Sequence, residues 1–136
     1  MLRYLSLRDP SPDLLKKIIG LYKAAGWHEP SDTTGRYRRM VRGSHCFLLA
    51  MDKDGTAGMA RAVSDGANDA YIQDVFVLPG RRRSGIATAL VRTLLAQLKK
   101  DRLKWIGLIS HPKAARLYKA CGFRKMRGFA PMRLSK

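Results

Sequence analysis

The segment Val75-Phe76-Val77-Leu78-Pro79-Gly80-Arg81-Arg82-Arg83-Ser84-Gly85-Ile86-Ala87-Thr88 contains the pattern that decides the fold. An apolar strand ends at Val77, a short loop rich in glycine and arginine follows, and a leucine-rich helix begins at Gly85. The first turn of a helix leaves backbone N–H groups without intrahelical partners, and these groups favour an anion such as a pyrophosphate. Because Gly85 lacks a Cβ, a phosphate could approach the backbone closely. The segment therefore predicts a phosphate-binding loop between a central strand and a long helix.

The rest of the chain carries strand and helix patterns on both sides of this loop. Apolar periodicity, helix caps and turn residues predict the order β-α-α-β-β-β-α-β-α-β, with room for one further strand. The predicted strands are residues 1–8, Cys46–Met51, Thr56–Val63, Ala70–Val77, Trp105–Ile109 and one or two within Phe123–Leu134; the predicted helices begin at Ser11, at Pro30-Ser31-Asp32, at Gly85 and at Pro112. Strand alternation places Ile72, Asp74 and Phe76 on one face of the central strand. The order predicts a mixed α/β layer protein, and 136 residues fit a single domain, residues 1–136.

Two motifs of the chain match patterns of a known family. The first is V-x-P-x-x-R-x-x-G-x-A, from Val77 to Ala87, and the second is A-x-x-L-Y-x-x-x-G-F, from Ala114 to Phe123. They resemble the acetyl-CoA motif and the late helix-turn motif of the GNAT superfamily of N-acetyltransferases. Gly26-Trp27 and Ala60–Asp65 are similar to a small bacterial subgroup. The resemblance implies the GNAT acyl-CoA N-acyltransferase fold, with a central mixed sheet of six to seven strands flanked by about four helices.

The resemblance also implies acetyl-CoA as the acyl donor, a cosubstrate. Backbone N–H groups from Arg83 through Thr88 are then expected to hold the pyrophosphate, with added charge from Arg82. The backbone of the central strand is expected to pair with the pantetheine arm like an added strand. One N–H there, of Phe76 or Val77, is expected to polarise the acetyl carbonyl. The expected cofactor-binding residues are Val75, Phe76, Val77, Arg82, Arg83, Ser84, Gly85, Ile86, Ala87 and Thr88.

Tyr118 matches the tyrosine that the family uses to protonate the leaving CoA thiolate. A phenol with a pKa near ~10 stays protonated at neutral pH, so it is able to donate a proton there. The alternative is that its ring only packs beside Leu117 and Phe123. His111 occupies the position where the family often has an asparagine, either as a replacement donor or as an exposed loop residue.

In such a family the central strand splays from the Trp105–Ile109 strand near a bulge, which makes the slot for the thioester. The acceptor amine must lose a proton before it attacks, and Asp74 is the candidate base because it lies just before this expected slot. The alternatives are that Asp74 accepts structural hydrogen bonds from the backbone or from an arginine, and that a water chain removes the proton without a dedicated residue. Trp27, Glu29 and Tyr37 are the candidate acceptor-binding residues. Their alternatives are a solvated loop acid for Glu29 and core or rim packing for the two aromatic residues.

The charge of the chain raises a second class of function. Its 27 Lys and Arg outnumber 10 Asp and Glu, which gives a net charge of +17 and should attract polyanions. The predicted function is transfer of the acetyl group of acetyl-CoA to a primary amine of an unidentified acceptor, by direct attack in a ternary complex. The alternatives are a basic module that binds nucleic acid or the ribosome, and a non-catalytic acyl-CoA-binding domain.

Several further expectations concern the surroundings of the protein. No run approaches the ~20 apolar residues of a membrane span, and the N-terminus has no signal-peptide pattern, so we expect a cytoplasmic protein without a membrane partner. Neither Cys46 nor Cys121 lies at a metal-ligand spacing, so we expect no metal site. Family members are often dimers, which makes a homodimer an expectation of the resemblance.

Overall fold

Five strands form one sheet, in the order β1-β2-β3-β4-β5, in the computed structural model, which describes residues 1–135. The pairs β1–β2, β2–β3 and β3–β4 are antiparallel, and β5 runs parallel to β4. The strands are β1 (Arg3–Leu7), β2 (Cys46–Asp52), β3 (Gly55–Ser64), β4 (Asp69–Val77) and β5 (Trp105–Leu108); the helices are α1 (Pro12–Ala24), α2 (Thr34–Gly43), α3 (Ile86–Lys100) and α4 (Ala115–Ala120). Short 3₁₀ turns at Pro79–Arg81 and Pro112–Ala114 precede α3 and α4. The α3 crossover supplies the long connection that a parallel strand pair requires.

Helices cover both faces of the sheet, and β2 shows this most directly. Its residues Cys46–Ala50 are all buried, and successive side chains point to opposite faces. Cys46, Leu48 and Ala50 pack in the core on the α3 side, while Phe47 and Leu49 pack in the core beneath α1 and α2. No helix between residues 1 and 135 combines the length and the apolar composition that a membrane crossing requires.

Helix α1 begins and ends where its caps predict. The Ser11 hydroxyl accepts a hydrogen bond from the Leu14 N–H at 3.2 Å, and Pro12 occupies the first turn. At the other end Gly26 adopts φ +78°, and the Trp27 N–H donates to the Tyr22 carbonyl at 3.0 Å. Such a left-handed residue terminates a helix and turns the chain back, which here brings Trp27 over the ring of Tyr22.

The second helix begins later than its predicted start at residues 30–32. The Thr33 hydroxyl caps it by accepting from the Arg36 N–H at 3.1 Å. The Asp32 carboxylate instead accepts from the Glu29 N–H at 2.9 Å and closes a turn before the helix. Two adjacent capping side chains therefore compete, and the second one starts α2.

A bulge in β4 changes which side chains share a face. Asp74 has φ +55°, and the pairing of Met59 with Phe76 and of Arg61 with Gln73 leaves one extra residue on β4. The prediction that Ile72, Asp74 and Phe76 lie on one face is therefore wrong. Ile72 packs in the α3-side core, whereas Phe76 packs against the core beneath α1 and α2. The bulge reverses the alternation between these two positions.

The prediction of one or two strands within Phe123–Leu134 is also wrong, and with it the count of six to seven strands. Residues 124–135 are exposed and contain no strand. Gly128 adopts φ +83° and Pro131 lacks an N–H donor, so both interrupt the alternating pattern on which the prediction rested. Within residues 1–135, β5 is consequently an edge strand of a five-stranded sheet.

Strands β3 and β4 approach most closely at Gly58, which gives a prediction about stability. A Cβ added there would lie 2.7 Å from the Phe76 carbonyl oxygen and 3.2 Å from the Val77 Cα. Backbone atoms yield less readily than side-chain ends, so we expect Gly58→Ala to lower the free energy of unfolding by about 1–3 kcal/mol in urea titrations. Gly20→Ala is the matched control, because Gly20 lies within α1 with no atom within 4 Å of the added Cβ, and it should leave stability unchanged or higher. Equal stability of the two variants would contradict the tight approach.

Candidate active site

A cleft lies beside β4 where this strand leaves β5. The parallel pairing runs from Asp69 with Trp105 to Ile72 with Leu108 and ends there. Beyond that point the edge of β4 has no strand partner on this side, and a cleft of about 350 Å³ opens next to the start of α3. Its lining residues are Val75, Phe76, Val77, Arg81, Arg82, Arg83, Gly85, Ile86, Ala87, Thr88 and Leu117.

The loop before α3 presents its backbone amides to this cleft. Gly85 caps the helix with φ +77°, and the first helical hydrogen bond runs from the Ala89 N–H to the Gly85 carbonyl at 3.0 Å. Within residues 1–135, no group accepts a hydrogen bond from the amides of Arg83 through Thr88. A Cβ at Gly85 would point into open space, with no atom within 4 Å. Unpaired amides around an open pocket at a helix start suit a phosphate.

The three arginines of the loop have different partners. Arg81 forms an ion pair with Asp52, and this hydrogen bond lowers the pKa of the Asp52 carboxyl. Arg82 donates from Nε to the Val77 carbonyl at 3.0 Å, and its guanidinium lies 5.7 Å from the centre of the Phe76 ring. Neither Arg82 nor Arg83 has a carboxylate partner among the described residues, and Arg83 has no hydrogen-bond partner there either.

A second cavity, of about 390 Å³, lies on the α1 and α2 side of the sheet. It contains the three predicted acceptor-binding residues together with Asp74. Its full lining is Tyr22, Trp27, Glu29, Asp32, Arg36, Tyr37, Met40 and Asp74. Asp74 lines this cavity and its neighbour Val75 lines the cleft, so the two spaces have adjacent lining residues at the bulge of β4.

The Asp74 carboxylate has one committed oxygen and one open oxygen. Oδ2 accepts hydrogen bonds from the Tyr22 hydroxyl at 2.6 Å and from Arg61 Nε at 2.7 Å. Oδ1 receives no hydrogen bond from any residue between 1 and 135. Burial, and then the Asp74 charge, raise the pKa of Tyr22 far above its ordinary value, so its hydroxyl stays a donor. The structural alternative for Asp74 is therefore correct for Oδ2, while Oδ1 remains available to a ligand.

Aromatic rings form one continuous wall of the acceptor-side cavity. The centres of the Tyr22 and Tyr37 rings are 5.2 Å apart, those of Tyr22 and Trp27 are 6.1 Å apart, and Trp27 meets the edge of Phe76 at 5.8 Å. His28 stacks on Tyr37 with an interplanar angle of 14°, and its Nδ1 lies 2.7 Å from the Tyr37 hydroxyl. Burial, and then the charge of Asp32, raise the pKa of Tyr37.

Tyr118 lies on α4, half-buried, with its ring edge-on to Phe123 at 5.9 Å. Its hydroxyl has no hydrogen-bond partner among the described residues, and burial, followed by Cys121, raises its pKa. Tyr118 does not itself line the cleft, although Leu117 beside it does. His111 accepts from the Lys113 N–H at 3.1 Å and thus caps the turn before α4.

The structure brings most of the predicted site residues together and adds others. Of the expected cofactor-binding set, Ser84 alone is absent from the cleft lining, and its hydroxyl donates to the Arg82 carbonyl at 3.4 Å. Leu117 could have been found from its position beside Tyr118 in the second motif. Asp32, in the turn before α2, and Arg36, within α2, had no such signal, because their position near Asp74 depends on tertiary packing. The lining residues that the sequence did not predict are Arg81, Leu117, Tyr22, Asp32, Arg36 and Met40.

Comparisons with known proteins concern the family and the fold. The family model described as "Acetyltransferase (GNAT) family" matches residues 13–123. An uncharacterized N-acetyltransferase, ycf52, of Pyropia yezoensis is 34% identical over 120 residues, which are 80% of this chain and 67% of that protein. The chloroplastic serotonin N-acetyltransferase 2 of Oryza sativa subsp. japonica is 30% identical over 92 residues, 65% of this chain but 46% of that protein, so the chain spans about half of its length. A GNAT family acetyltransferase from Streptococcus pneumoniae TIGR4 has the same fold, with a TM-score of 0.80 at 24% identity over 100% of this chain and 98% of that chain.

Proposed function

Because this chain belongs to the acetyltransferase (GNAT) family, we propose that it transfers the acetyl group of acetyl-CoA to a primary amine. The observation that carries the proposal is that adjacent residues at the bulge of β4 line the two spaces. The cleft is reached from one side of the strand at Val75, and the acceptor-side cavity is reached from the other at Asp74. A donor and an acceptor bound in them would meet at one point of the chain, as direct transfer in a ternary complex requires.

The residues of the cleft fit the donor. The unpaired amides of Arg83 through Thr88 would hold the pyrophosphate, and Arg83 would add its charge. The open edge of β4 at Val75 and Phe76 would pair with the pantetheine arm. The Val77 carbonyl already accepts a hydrogen bond from Arg82. The pantetheine arm would therefore pair with the backbone groups of Val75 and Phe76, unless Arg82 turns away from Val77. When bound, acetyl-CoA supplies the thioester that is the acetyl source.

The acceptor-side residues would orient the amine. Asp74 Oδ1 would accept a hydrogen bond from the ammonium, while Arg61 and Tyr22 hold the carboxylate in place through Oδ2. The amine would give up its proton to water while Asp74 holds it, since the cavity is lined by Trp27, which is 47% exposed to solvent. Attack by the neutral amine forms the C–N bond and breaks the C–S bond, and a second proton leaves the nitrogen.

Tyr118 would return a proton to the departing sulfur. Because burial raises its pKa, the phenol is in its proton-donating form at every pH below about 10. The phenolate that it leaves behind is reprotonated by solvent. The net change is one ammonium and one thioester converted to one amide, one thiol and one released proton.

Release of free thiol from acetyl-CoA, measured over a panel of primary amines, tests the proposal. We expect release that depends on both the protein and an amine, with the acetylated amine detected by mass spectrometry. Binding of acetyl-CoA without acetylation of any amine would favour the alternative, a non-catalytic acyl-CoA-binding domain. Absence of any acetyl-CoA binding in a calorimeter would overturn the proposal.

The role of Tyr118 gives a separate prediction. We expect Tyr118→Phe to lower kcat by about 10²-fold, the usual scale of a general acid, with less than threefold change in the dissociation constant of acetyl-CoA. The rate of the wild-type protein should not fall on the alkaline side until the pH exceeds about 10, since the raised pKa keeps the acid protonated. Tyr71→Phe, a change on β4 outside both spaces, is the control and should keep the wild-type rate. An unchanged kcat in Tyr118→Phe would mean that Tyr118 is not the acid and that its ring only packs against Phe123.

Other expectations from the sequence remain predictions. They are the single domain over residues 1–136, the homodimer, the cytoplasmic location and the contact with nucleic acid or the ribosome. The last has a direct physical origin, because the net charge of +17 exceeds what the cofactor needs.

A further inference from the structure

The acceptor-side cavity has a composition that points to one class of amine. The inference rests on the acetyl transfer proposed above and concerns what occupies this cavity. At about 390 Å³, the cavity is near the lower end of the ~300–1,000 Å³ usual for small-molecule sites. It therefore fits a compact acceptor better than a large one.

The charge of the cavity is opposite to that of the chain as a whole. The chain has only 10 acidic residues, and three of them, Glu29, Asp32 and Asp74, line this space. Arg36 also lines it, 3.4 Å from Asp32, but its side chain is 70% exposed and extends toward solvent. Asp74 keeps Oδ1 open although Arg61 neutralises part of its charge through Oδ2. The cavity thus offers one ammonium position at its inner end, beside the bulge.

The aromatic wall adjoins that position directly. Tyr22 donates its hydroxyl to Asp74, and its ring lies within 5.2 Å of Tyr37 and 6.1 Å of Trp27. Aromatic faces attract both a flat apolar ring and a cation. A group bound on the wall and an ammonium at Asp74 would therefore share one cavity, with Tyr22 in contact with both Asp74 and Trp27.

We infer that the acceptor is a compact monoamine whose ammonium, held by Asp74 Oδ1, is joined through a short arm to a flat ring that packs against the exposed Trp27, beside the buried Tyr22 and Tyr37. A polyamine needs a second open carboxylate, but Asp32 already accepts from the Glu29 N–H at 2.9 Å and pairs with Arg36 at 3.4 Å, and Glu29 is not free either. A peptide lysine has a long flexible arm and no ring for the wall. The geometry therefore favours a ring-bearing amine over both.

The test compares the wild-type protein on five amines in the thiol-release assay: tryptamine, 2-phenylethylamine, n-hexylamine, spermidine and Nα-acetyl-lysine amide. We expect kcat/KM for the two ring amines to exceed that for n-hexylamine, which has an amine but no ring, by about 10-fold or more. Spermidine and the lysine derivative should be poorer still. Equal use of n-hexylamine, or preference for spermidine or the lysine derivative, would overturn the inference and leave the proposed acetyl transfer intact.

A pair of matched variants adds a second readout. Trp27→Leu keeps apolar bulk but removes the aromatic face, and it should reduce the preference for tryptamine over n-hexylamine to less than threefold. Trp105→Leu is the control, because Trp105 is 44% exposed, close to the 47% of Trp27, and lies on β5 outside the cavity. Its preference should equal that of the wild-type protein. A preference unaffected by Trp27→Leu would contradict the aromatic wall.

Acetyl-CoA binding, measured by calorimetry on the same samples, distinguishes failure of the acceptor inference from failure of the proposed acetyl transfer. Binding together with no acetylation of either ring amine overturns the inference about the acceptor. Loss of binding in the wild-type protein overturns the proposed function and the inference together.

Discussion

Gly85→Glu should abolish measurable acetyl-CoA binding, raising the dissociation constant by at least about 100-fold. The new side chain would occupy the open space at the start of α3, where a Cβ now has no neighbour within 4 Å. Its carboxylate would stand among the unpaired amides of Arg83 through Thr88 and compete for them with the pyrophosphate. Isothermal titration calorimetry with acetyl-CoA measures the effect directly.

The substitution also strains the backbone, so it needs a control that separates strain from blockage. Gly66 provides one, because it has φ +76° against +77° at Gly85, and a Cβ there also has no neighbour within 4 Å. It lies in the turn between β3 and β4, outside the cleft. Gly66→Glu should cost a similar ~1–2 kcal/mol of stability and leave acetyl-CoA binding unchanged. Retained binding in Gly85→Glu would remove the loop from the donor site.

Asp74→Asn should lower kcat/KM for the acceptor by about 10- to 100-fold, the equivalent of one charge-assisted hydrogen bond of ~1.5–3 kcal/mol. Asparagine tolerates the left-handed backbone of this position, so the bulge should persist. The dissociation constant of acetyl-CoA should change less than threefold, because the donor lies on the other side of β4. Steady-state kinetics with varied amine, beside calorimetry with acetyl-CoA, give both quantities.

The same change leaves Arg61 without its counterion, and the free energy of unfolding should fall by about 1–3 kcal/mol. Asp101→Asn is the comparison. The Asp101 carboxylate also pairs with a partly buried side chain, His45, at 2.7 Å, but Asp101 lies outside both spaces. It should keep the wild-type kcat/KM. If Asp74→Asn retained full acceptor kinetics while it lost stability, the role of Asp74 would be structural alone.

The donor side of the site could be predicted closely from the sequence, for a physical reason. A strand, a glycine-containing turn and a helix start are contiguous in the chain, so local rules place the amides and the glycine together. The cleft lining contains nine of the ten residues named in advance, and it omits Ser84, whose side chain turns to the Arg82 carbonyl. The family itself could be recognised from the same contiguous motifs.

The acceptor side could be predicted only in part, because it is assembled from distant segments. Trp27 and Glu29, between the first two helices, and Tyr37, within the second, were candidates in advance. Nothing local indicated that Tyr22 would reach Asp74 across 52 positions of sequence. The family resemblance implied a bulge near the thioester slot, but its position at Asp74 was hidden, since strict alternation assigns the wrong face to this residue. A register shift depends on the partner strand β3 as much as on β4 itself.

The left-handed backbone at Asp74 limits how this protein could diversify. Aspartate, asparagine and glycine accept a positive φ at little cost, whereas most other side chains there would distort the strand. Random mutagenesis aimed at new acceptors should therefore return few tolerated replacements at Asp74. The segment from Trp27 to Asp32 joins two helices and has no regular strand to disrupt, so laboratory evolution should find most of its adaptive changes there.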